Sequence, residues 1–368
     1  MKKAVQPLLA FCCACLLLAC SNNDDVVDEQ IENRQRPVAD YEVVPGDDPF
    51  TFTFNNKSQK FKSLEWRFGD DSLSYDDSPS HVYLRDGKYE VTLKATSEDG
   101  STARKLIVVD INPEKILKIT AVPEDGKVRL KADPLVDVTF TDATWDFGNG
   151  KNSDELSPLA EYVQDQLFTA TVEATTPKGS VVKATKLVSA YGGLKDITFG
   201  YLLNVGPKFI ASERVGARWG VVADWRVNTA VKQREGNMGG WDEWEGNSMS
   251  MESWGSEPDI VNGKIQQTTL EPLAAGQYYY QMKFHDFQVK DLLYNVITTA
   301  SDIPDIDNVE KDANVIGLTK FMGNGPLLQT TGFKLNQSGK VTIGFVSTFL
   351  QSDQNFKLTQ VRLYKLDN

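Results

Sequence analysis

Five of the seven tryptophans in the 368-residue chain lie between Trp219 and Trp254, and three of these fall within the segment Asn228–Asp259. This segment is rich in Gly, Glu, Asn and Met and poor in aliphatic residues, which predicts a long loop. Long loops on a rigid β scaffold are where binding residues concentrate. Flat indole rings suit the apolar C–H face of a sugar, and neighbouring carboxylates can accept hydrogen bonds from its hydroxyl groups. The sequence therefore predicts a glycan-binding loop with the candidate residues Trp241, Trp244, Trp254, Asp242 and Glu243.

An alternative stays open for part of this segment. The run from Met249 to Glu252 could form a short strand, and Trp254 would then cover a hydrophobic core instead of facing a ligand. Upstream, Trp219 and Trp225 lie six positions apart in a run that alternates like a strand, so both are expected to face the core.

Residues suited to catalysis are scarce. The only histidines are His81 and His285, and all four cysteines (Cys12, Cys13, Cys15, Cys20) lie in the first twenty residues. Thiolate nucleophiles, disulfides and cysteine metal sites are therefore excluded from the rest of the chain. Glycoside hydrolysis requires two positioned carboxylates, and Asp242, Glu243 and Glu245 could supply them, but nothing in their spacing selects that role. We expect a non-catalytic protein and keep a hydrolase, or an accessory protein to one, as the third hypothesis.

Metal and nucleic-acid partners are also disfavoured. The acidic stretch Asp302, Asp305, Asp307, Glu310 and Asp312 could bind calcium, but a solvated loop is favoured. Asp70 and Asp71 are expected to shape the turn after Gly69, because one short acidic turn supplies fewer than the roughly six to eight oxygens that calcium takes. We expect no cofactor, with structural calcium as the open alternative. The formal net charge of −12 repels phosphate backbones, so no nucleic-acid partner is expected.

The N-terminus carries the pattern of an address signal. Lys2 and Lys3 precede an apolar run from Leu8 to Ala19, which is too short to span a bilayer as a stable helix. The sequence Leu17-Leu18-Ala19-Cys20 resembles the lipobox of bacterial lipoproteins, which implies a signal peptide at 1–19 and lipid on Cys20. The alternative is a plain secretory signal with incidental cysteines.

Residues 20–36 are polar and acidic, which predicts a flexible tether. Acidic residues just behind the lipid-bearing cysteine resemble the export signal of surface lipoproteins, although a merely solvated linker is the alternative. The expected location is the outer membrane, anchored by lipid and exposed at the cell surface.

An internal repeat defines the next part of the chain. A shift of 79 positions aligns Leu64–Ser101 with Ala143–Ser180 without a gap, and 13 of the 38 aligned positions are identical. Fixed internal periods indicate duplicated modules. Within each copy apolar and polar residues alternate, as in Tyr89, Val91, Leu93 and Ala95 and again in Phe168, Ala170, Val172 and Ala174. This parity predicts half-buried strands.

The repeat resembles a known family. The first copy contains Trp66-Arg67-Phe68-Gly69-Asp70-Asp71, followed by Ser80-His81-Val82-Tyr83 and the strand that starts at Gly87. This pattern looks like the polycystic-kidney-disease (PKD) domain, which is an immunoglobulin-like β-sandwich. The second copy keeps Trp145, Phe147 and Tyr162 but departs from the first at Ala160 and Gln166. The resemblance implies PKD-like modules at 37–112 and 113–191 that act as spacers. Trp66 and Phe68 share a strand face and are expected in the core.

The remaining residues, 192–368, are expected to form a third domain. The segment from Asn262 to Tyr278 is similar to galactose-binding-like jelly rolls, and in particular to domain of unknown function 5013 of surface lipoproteins from glycan-foraging bacteria. Tyr278, Tyr280, Met282 and Phe284 alternate with polar residues that include His285, which predicts a hairpin strand. The fold class expected is all-β: tandem immunoglobulin-like (PKD) β-sandwiches followed by a jelly-roll β-sandwich.

Two functions from different classes follow from this organisation. The first is a cell-surface lipoprotein that binds a polysaccharide or oligosaccharide for an outer-membrane importer, with that importer and the membrane as its partners. The second is a structural or adhesive lipoprotein that binds protein through its C-terminal sandwich. Glycan binding predicts exposed planar aromatic rings in a concave site, whereas adhesion predicts a flatter, mixed apolar patch.

Overall fold

The structure is a computed structural model that describes residues 36–163, 166–255, 257–350 and 353–367. The predicted signal peptide, Cys20 and the tether up to residue 35 lie outside the described residues. No helix within the described ranges is long and apolar enough to cross a membrane.

The chain divides into two compact units. The first contains the described part of Met1–Val44 with Phe54–Pro79 and Glu90–Val108, and the second contains Pro45–Thr53, Ser80–Tyr89 and Val109–Asn368.

Seven strands form the region predicted as the first module: β1 (Tyr41–Pro45), β2 (Thr51–Asn56), β3 (Ser63–Arg67), β4 (Leu73–Ser74), β5 (Ser80–Val82), β6 (Gly87–Thr96) and β7 (Thr102–Ile111). They make one sheet in the order β1-β2-β5 and another in the order β4-β3-β6-β7. Trp66 is fully buried, with the rings of Tyr41 and Phe54 at 5.0 and 5.9 Å from its own. Phe68 is buried as well. The prediction that Trp66 and Phe68 belong to the core is confirmed.

The second copy repeats this architecture. A 3₁₀ turn at Pro113–Lys115 leads into β8 (Leu117–Glu124), β9 (Lys127–Pro134), β10 (Asp142–Asp146), β11 (Asn152–Ser153), β12 (Leu159–Ala160), β13 (Phe168–Thr175) and β14 (Val181–Ser189). Its strands are ordered β12-β9-β8 and β11-β10-β13-β14, which matches the first copy strand for strand. Trp145 is 1% exposed. Ala170, Val172 and Ala174 are fully buried, as the alternating pattern predicted.

The C-terminal region begins with β15 (Gly192–Asp196), α1 (Thr198–Tyr201), β16 (Ala211–Val215), β17 (Trp219–Val222), β18 (Arg226–Val227), a 3₁₀ turn at Glu235–Asn237, β19 (Gly240–Asp242), α2 (Trp244–Asn247) and β20 (Ser248–Ser253). It continues with β21 (Ile260–Thr268), β22 (Gly276–Thr298), a 3₁₀ turn at Ile306–Asn308, β23 (Val315–Gly323), β24 (Leu328–Leu335), β25 (Thr342–Phe349) and β26 (Gln354–Leu366).

The 23-residue strand β22 joins the two layers of this region. Its first half pairs with β24 and β26, and its second half pairs with β23 and β25. The layers enclose a core that includes the buried side chains of Tyr280, Phe284 and Phe345. The expectation of an all-β fold of immunoglobulin-like sandwiches followed by a jelly-roll sandwich is confirmed.

The predicted long loop is wrong in its central part. Asn228–Asp259 contains strands β19 and β20, which pair with each other and extend the sheet in the order β26-β20-β19-β17-β16. The alternative in which Met249–Glu252 forms a strand is therefore confirmed. Only the segments that flank these strands are loops.

Candidate functional site

The sheet formed by β17, β19, β20 and β26 has one apolar face and one polar face. Met249 and Met251 face the core on β20, with Leu358 and Phe356 as their neighbours on β26. The alternate residues point the other way, and directly paired residues share a face. The register therefore places the following side chains together on what we call the polar face: Trp219, Asp242, Ser248, Ser250, Glu252, Asn355 and Lys357.

An arginine lies between two tryptophans at one end of the polar face. The guanidinium carbon of Arg218 lies 4.0 Å from the ring centroid of Trp219 and 4.1 Å from that of Trp244. We call these three residues the Trp–Arg–Trp stack. A cation over an indole is worth about 0.5–1 kcal/mol at exposed sites and about 2 kcal/mol when desolvated. Trp244 is 58% exposed although Arg218 covers one of its ring faces, so the opposite face is open to solvent.

Two carboxylates hold Arg218 in this position. Its Nε and Nη2 atoms donate to Asp242 Oδ1 and Oδ2 at 3.1 and 2.9 Å, and Nη2 also donates to Glu252 Oε2 at 3.0 Å. Lys357 Nζ forms ion pairs with both carboxylates, at 2.9 Å from Glu252 Oε2. Asp242 Oδ1 also accepts a hydrogen bond from the backbone N–H of Trp244 at 3.0 Å, which fixes the start of α2. The buried carboxylate of Asp242 thus orients Arg218 and fixes the backbone of Trp244, whose ring is exposed.

The environment of these groups shifts their ionisation. Burial opposes the charged form of Asp242, but hydrogen bonds from Arg218 and Lys357 outweigh it and hold the pKa of Asp242 below its ordinary value of 3.8. Burial likewise opposes the charge on Arg218, yet its bonds to Asp242 and its attraction to Glu252 raise its pKa. Both groups are therefore charged at neutral pH.

A second ion pair lies beside the stack. Arg234 pairs with Glu257, and its guanidinium carbon lies 5.2 Å from the ring centroid of Trp219. Burial lowers the pKa of Arg234 and raises the pKa of Glu257. These opposite shifts reflect the burial of Arg234, whose side chain is 5% exposed, and the partial burial of Glu257, whose side chain is 30% exposed.

Trp241 does not face a ligand, so this prediction is wrong. It is 2% exposed, belongs to the hydrophobic core and donates from Nε1 to the Phe209 carbonyl at 2.7 Å. The reason is strand parity, since Trp241 and Asp242 are adjacent on β19 and point to opposite faces. Gly220 is its partner on β17, where a Cβ atom would lie only 2.9 Å from the indole.

Asp242 is fully buried, and its two oxygens are engaged by Arg218, Lys357 and Trp244. A fully buried carboxylate is not accessible to a ligand, so the prediction that Asp242 contacts one is wrong. In the structure Asp242 orients Arg218 and Lys357 instead.

Three predicted site residues remain accessible. Trp244 is 58% and Trp254 49% exposed, and Glu243 forms an ion pair with Arg214 in which both side chains are about half exposed. Trp225 is 4% exposed and confirms its predicted place in the core. Trp219 differs from that prediction, because it is only partly buried and lies on the polar face beneath Arg218. Ligand binding by Trp244, Trp254 and Glu243 stays a prediction.

In the acidic stretch considered for calcium, the carboxylates of Asp302 and Asp305 are engaged by cations and amides of the chain itself. Asp302 accepts hydrogen bonds from Arg226 at 2.9 Å and Gln266 at 2.8 Å, and Asp305 accepts them from Lys264 at 2.6 Å and Asn262 at 2.7 Å. Among the described residues, no group of three or more His, Cys, Asp or Glu side chains is arranged to hold a metal ion. Asp70 shapes its turn as expected, through a 3.2 Å bond from the Ser72 backbone N–H.

A cavity of about 900 Å³ lies along β8 and β14. Its walls include Ile119, Ala121, Lys183 and Lys186, and none of the described residues that line it is aromatic. It lacks the flat apolar surface that a sugar ring needs, and we place the candidate site at the Trp–Arg–Trp stack instead.

Sequence reasoning missed Arg218, Arg234, Glu252 and Lys357. Arg218 and Lys357 lie 139 positions apart in the sequence, and both bind Asp242. They come together because β19 pairs with β17 and β20, and β20 pairs with β26. A local signal did exist for Glu252, since Ser248-Met249-Ser250-Met251-Glu252 alternates with the period of a strand and assigns Glu252 to the face of the serines.

Fold and site together define an all-β protein of sandwich domains whose C-terminal domain displays an aromatic platform on a charged scaffold. Residues 34–111 match the family model of the PKD domain, and residues 203–344 match that of a domain of unknown function, DUF5013. The chain contains both domains, as their resemblance in sequence implied. No catalytic domain is evident among these matches.

Several solved structures are similar to parts of the chain. The PKD1 domain of Vibrio anguillarum Epp is 30% identical over 21% of this chain and 93% of its own, with a TM-score of 0.20. The K3 cleaved adhesin domain of Lys-gingipain from Porphyromonas gingivalis is 13% identical over 40% and 97%, with a TM-score of 0.27. The SGBP-B protein of the Bacteroides ovatus mixed-linkage glucan utilization locus, solved with a heptasaccharide, is 10% identical over 88% and 99%, with a TM-score of 0.22. Since all three TM-scores lie below 0.5, we rest no functional conclusion on these likenesses.

Proposed function

We propose that this chain is a non-catalytic, lipid-anchored surface protein whose C-terminal domain binds glycan for an outer-membrane importer, with the PKD-like modules as spacers. The observation that carries the glycan proposal is the open ring face of Trp244, fixed from behind by Arg218. A sugar ring presents a flat C–H face that stacks on such a surface. The anchor rests on the Leu17-Leu18-Ala19-Cys20 sequence, and the surface location on this sequence together with the acidic residues that follow Cys20.

The contacts behind Trp244 favour a binding role over a catalytic one. Asp242 and Glu252 are the buried carboxylates nearest the stack, and both are ion-paired to Arg218 and Lys357. A glycosidase needs one carboxyl group that is protonated and can donate to the leaving oxygen. Asp242 is held in the opposite state, because its cationic partners keep its pKa low.

The test is affinity electrophoresis of the purified full chain through gels that contain single polysaccharides, with Trp244→Ala as the variant. Loss of one aromatic contact of about 0.5–1.5 kcal/mol beyond its buried area weakens binding by roughly 2- to 12-fold, and the lost area adds to this. Phe199→Ala is the matched control, since Phe199 is a 71% exposed ring in the same region with the guanidinium carbon of Arg362 at 5.2 Å.

We expect retardation that Trp244→Ala clearly reduces and Phe199→Ala preserves. Retardation that Trp244→Ala leaves unchanged in a folded protein would remove the stack as the site. Absence of retardation across a broad panel would favour the adhesive function instead.

A further inference from the structure

Resting on the glycan-binding function above, we propose that the site selects neutral glycans and disfavours glycans that carry carboxylate groups. The basis is that each cation around the Trp–Arg–Trp stack forms an ion pair with a carboxylate of the chain. Arg218 of the stack belongs to a group of three cations and three carboxylates. The cations are Arg218, Arg234 and Lys357, and the carboxylates are Asp242, Glu252 and Glu257.

Each of these cations is already engaged by a carboxylate of the chain. Arg218 bonds to Asp242 and Glu252, Lys357 bonds to the same two groups, and Arg234 pairs with Glu257. The side chains of Arg234 and Lys357 are each only 5% exposed. Recognition of a sugar acid by arginine uses paired N–H donors aimed at the ligand carboxylate. A uronic acid that took the paired Nε and Nη2 donors of Arg218 would therefore have to displace Asp242 and Glu252. The Nη1 and Nη2 atoms of Arg234 have no hydrogen-bond partner among the described residues, but they are buried and so are closed to a ligand.

The exposed charge next to Lys357 is acidic. Asp286 lies opposite Lys357 in the β22–β26 register, is exposed and accepts a hydrogen bond from Asn355 Nδ2 at 3.2 Å. The chain as a whole carries a net charge of −12. A polyanion is thus repelled on approach and finds no uncommitted cation among these residues, whereas a neutral sugar that stacks on Trp244 disturbs none of these pairs.

The experiment compares each neutral polysaccharide with its own carboxylated form. Full-length protein is run against β-glucan, galactan, mannan and starch, and each polymer that binds is then tested after oxidation of its primary hydroxyl groups to carboxylates. We expect binding to the neutral polymer that depends on Trp244 and does not change between about 0.05 and 0.5 M salt, because no ion pair is formed. We expect the oxidised polymer to bind at least tenfold more weakly.

A charge variant tests the cause of the selectivity. Glu252→Gln removes one of the two carboxylates that engage Arg218, so that three cations face two carboxylates in this group. Binding of the oxidised polymer should then rise roughly fivefold at low salt and fall back at high salt. Glu257→Gln makes the same change in net charge and replaces Glu252→Gln if that variant does not fold. Glu271→Gln, an exposed position in the same region, is the control and should change nothing.

The outcomes separate the two proposals. Trp244-dependent, salt-sensitive binding of the oxidised polymer that equals or exceeds the neutral form would overturn the selectivity and leave the glycan function intact. Absence of a rise in both charge variants would overturn the charge-pairing explanation. Failure of every neutral and oxidised polymer to bind would overturn the glycan function and this inference together.

Discussion

Replacement of Lys357 by methionine tests whether the buried ion network holds the C-terminal domain together. Lys357 is 5% exposed at its side chain, and its ammonium group is paired with Asp242 and Glu252. Lys357→Met keeps most of the apolar stem but leaves two buried carboxylates to share Arg218. Removal of one partner from a buried charge network costs about 3–5 kcal/mol, because the remaining charge stays desolvated.

The control is a pair of the same type at the surface. Lys320 lies 3.9 Å from Glu310, with side-chain exposures of 42% and 58%. Such pairs contribute about 0–1 kcal/mol, since water screens both charges. Lys320→Met should therefore leave the free energy of unfolding almost unchanged, and the contrast between the two variants isolates the effect of burial.

Differential scanning calorimetry of the full chain measures the difference. For a domain of about 150–250 residues each kcal/mol moves the midpoint by about 2–4 °C, so Lys357→Met should lower the C-terminal transition by about 6–20 °C. That transition is identified as the one that Trp66→Ala leaves in place. A shift no larger than that of Lys320→Met would refute the view that the network fastens the sheet, and a rise would show that apolar packing serves better at this position.

Three further predictions concern the PKD-like modules, the lipid anchor and the ionisation of Asp242. Trp66→Ala and Trp145→Ala should each destabilise one PKD-like module by about 3–5 kcal/mol and spare glycan retardation, whereas loss of binding at intact stability would contradict their role as spacers. Cys20→Ala should move the protein from the membrane to the soluble fraction, and an unchanged membrane fraction would exclude the lipid anchor. In Asp242→Asn, the free energy of unfolding should fall less steeply than in the wild type as the pH is lowered into the acid range. The lowered pKa of Asp242 stabilises the wild-type fold above pH 3.8, and this contribution is lost as the pH falls through the folded-state pKa, so an equally steep fall in the variant would contradict the assignment.

Strand parity explains why the repeat could be predicted so fully. Val91 and Leu93 in the first copy, and Ala170 and Val172 in the second, occupy alternate positions on long strands, and all four are completely buried. One face of such a strand must enter a core, so a two-residue period in the sequence determines which side chains face inward. The 79-residue repeat then assigned the same architecture twice.

The same rule was available for the candidate site but was obscured there by short elements. β19 is only three residues long and contains Gly240, so the segment from Asn228 onward has the composition of a loop. The composition therefore predicts the same environment for Trp241 and Trp244, although a strand ends between them and a helix begins. The partners of Asp242 could not be found locally, because Arg218 and Lys357 come from β-sheet neighbours that are distant in the sequence.

The way Trp244 is held bears on the affinity it can provide. Its backbone N–H is bound by Asp242 Oδ1, and its inner face is covered by Arg218, which the same carboxylate orients. A ring fixed before binding loses little conformational freedom when the ligand arrives, so more of the stacking energy appears as affinity. Only this ring of the stack is largely exposed, however, and a single aromatic contact of about 0.5–1.5 kcal/mol beyond its buried area cannot support nanomolar binding. The expected affinity is therefore micromolar to millimolar, which suits the proposed capture of a polysaccharide and its release to an importer.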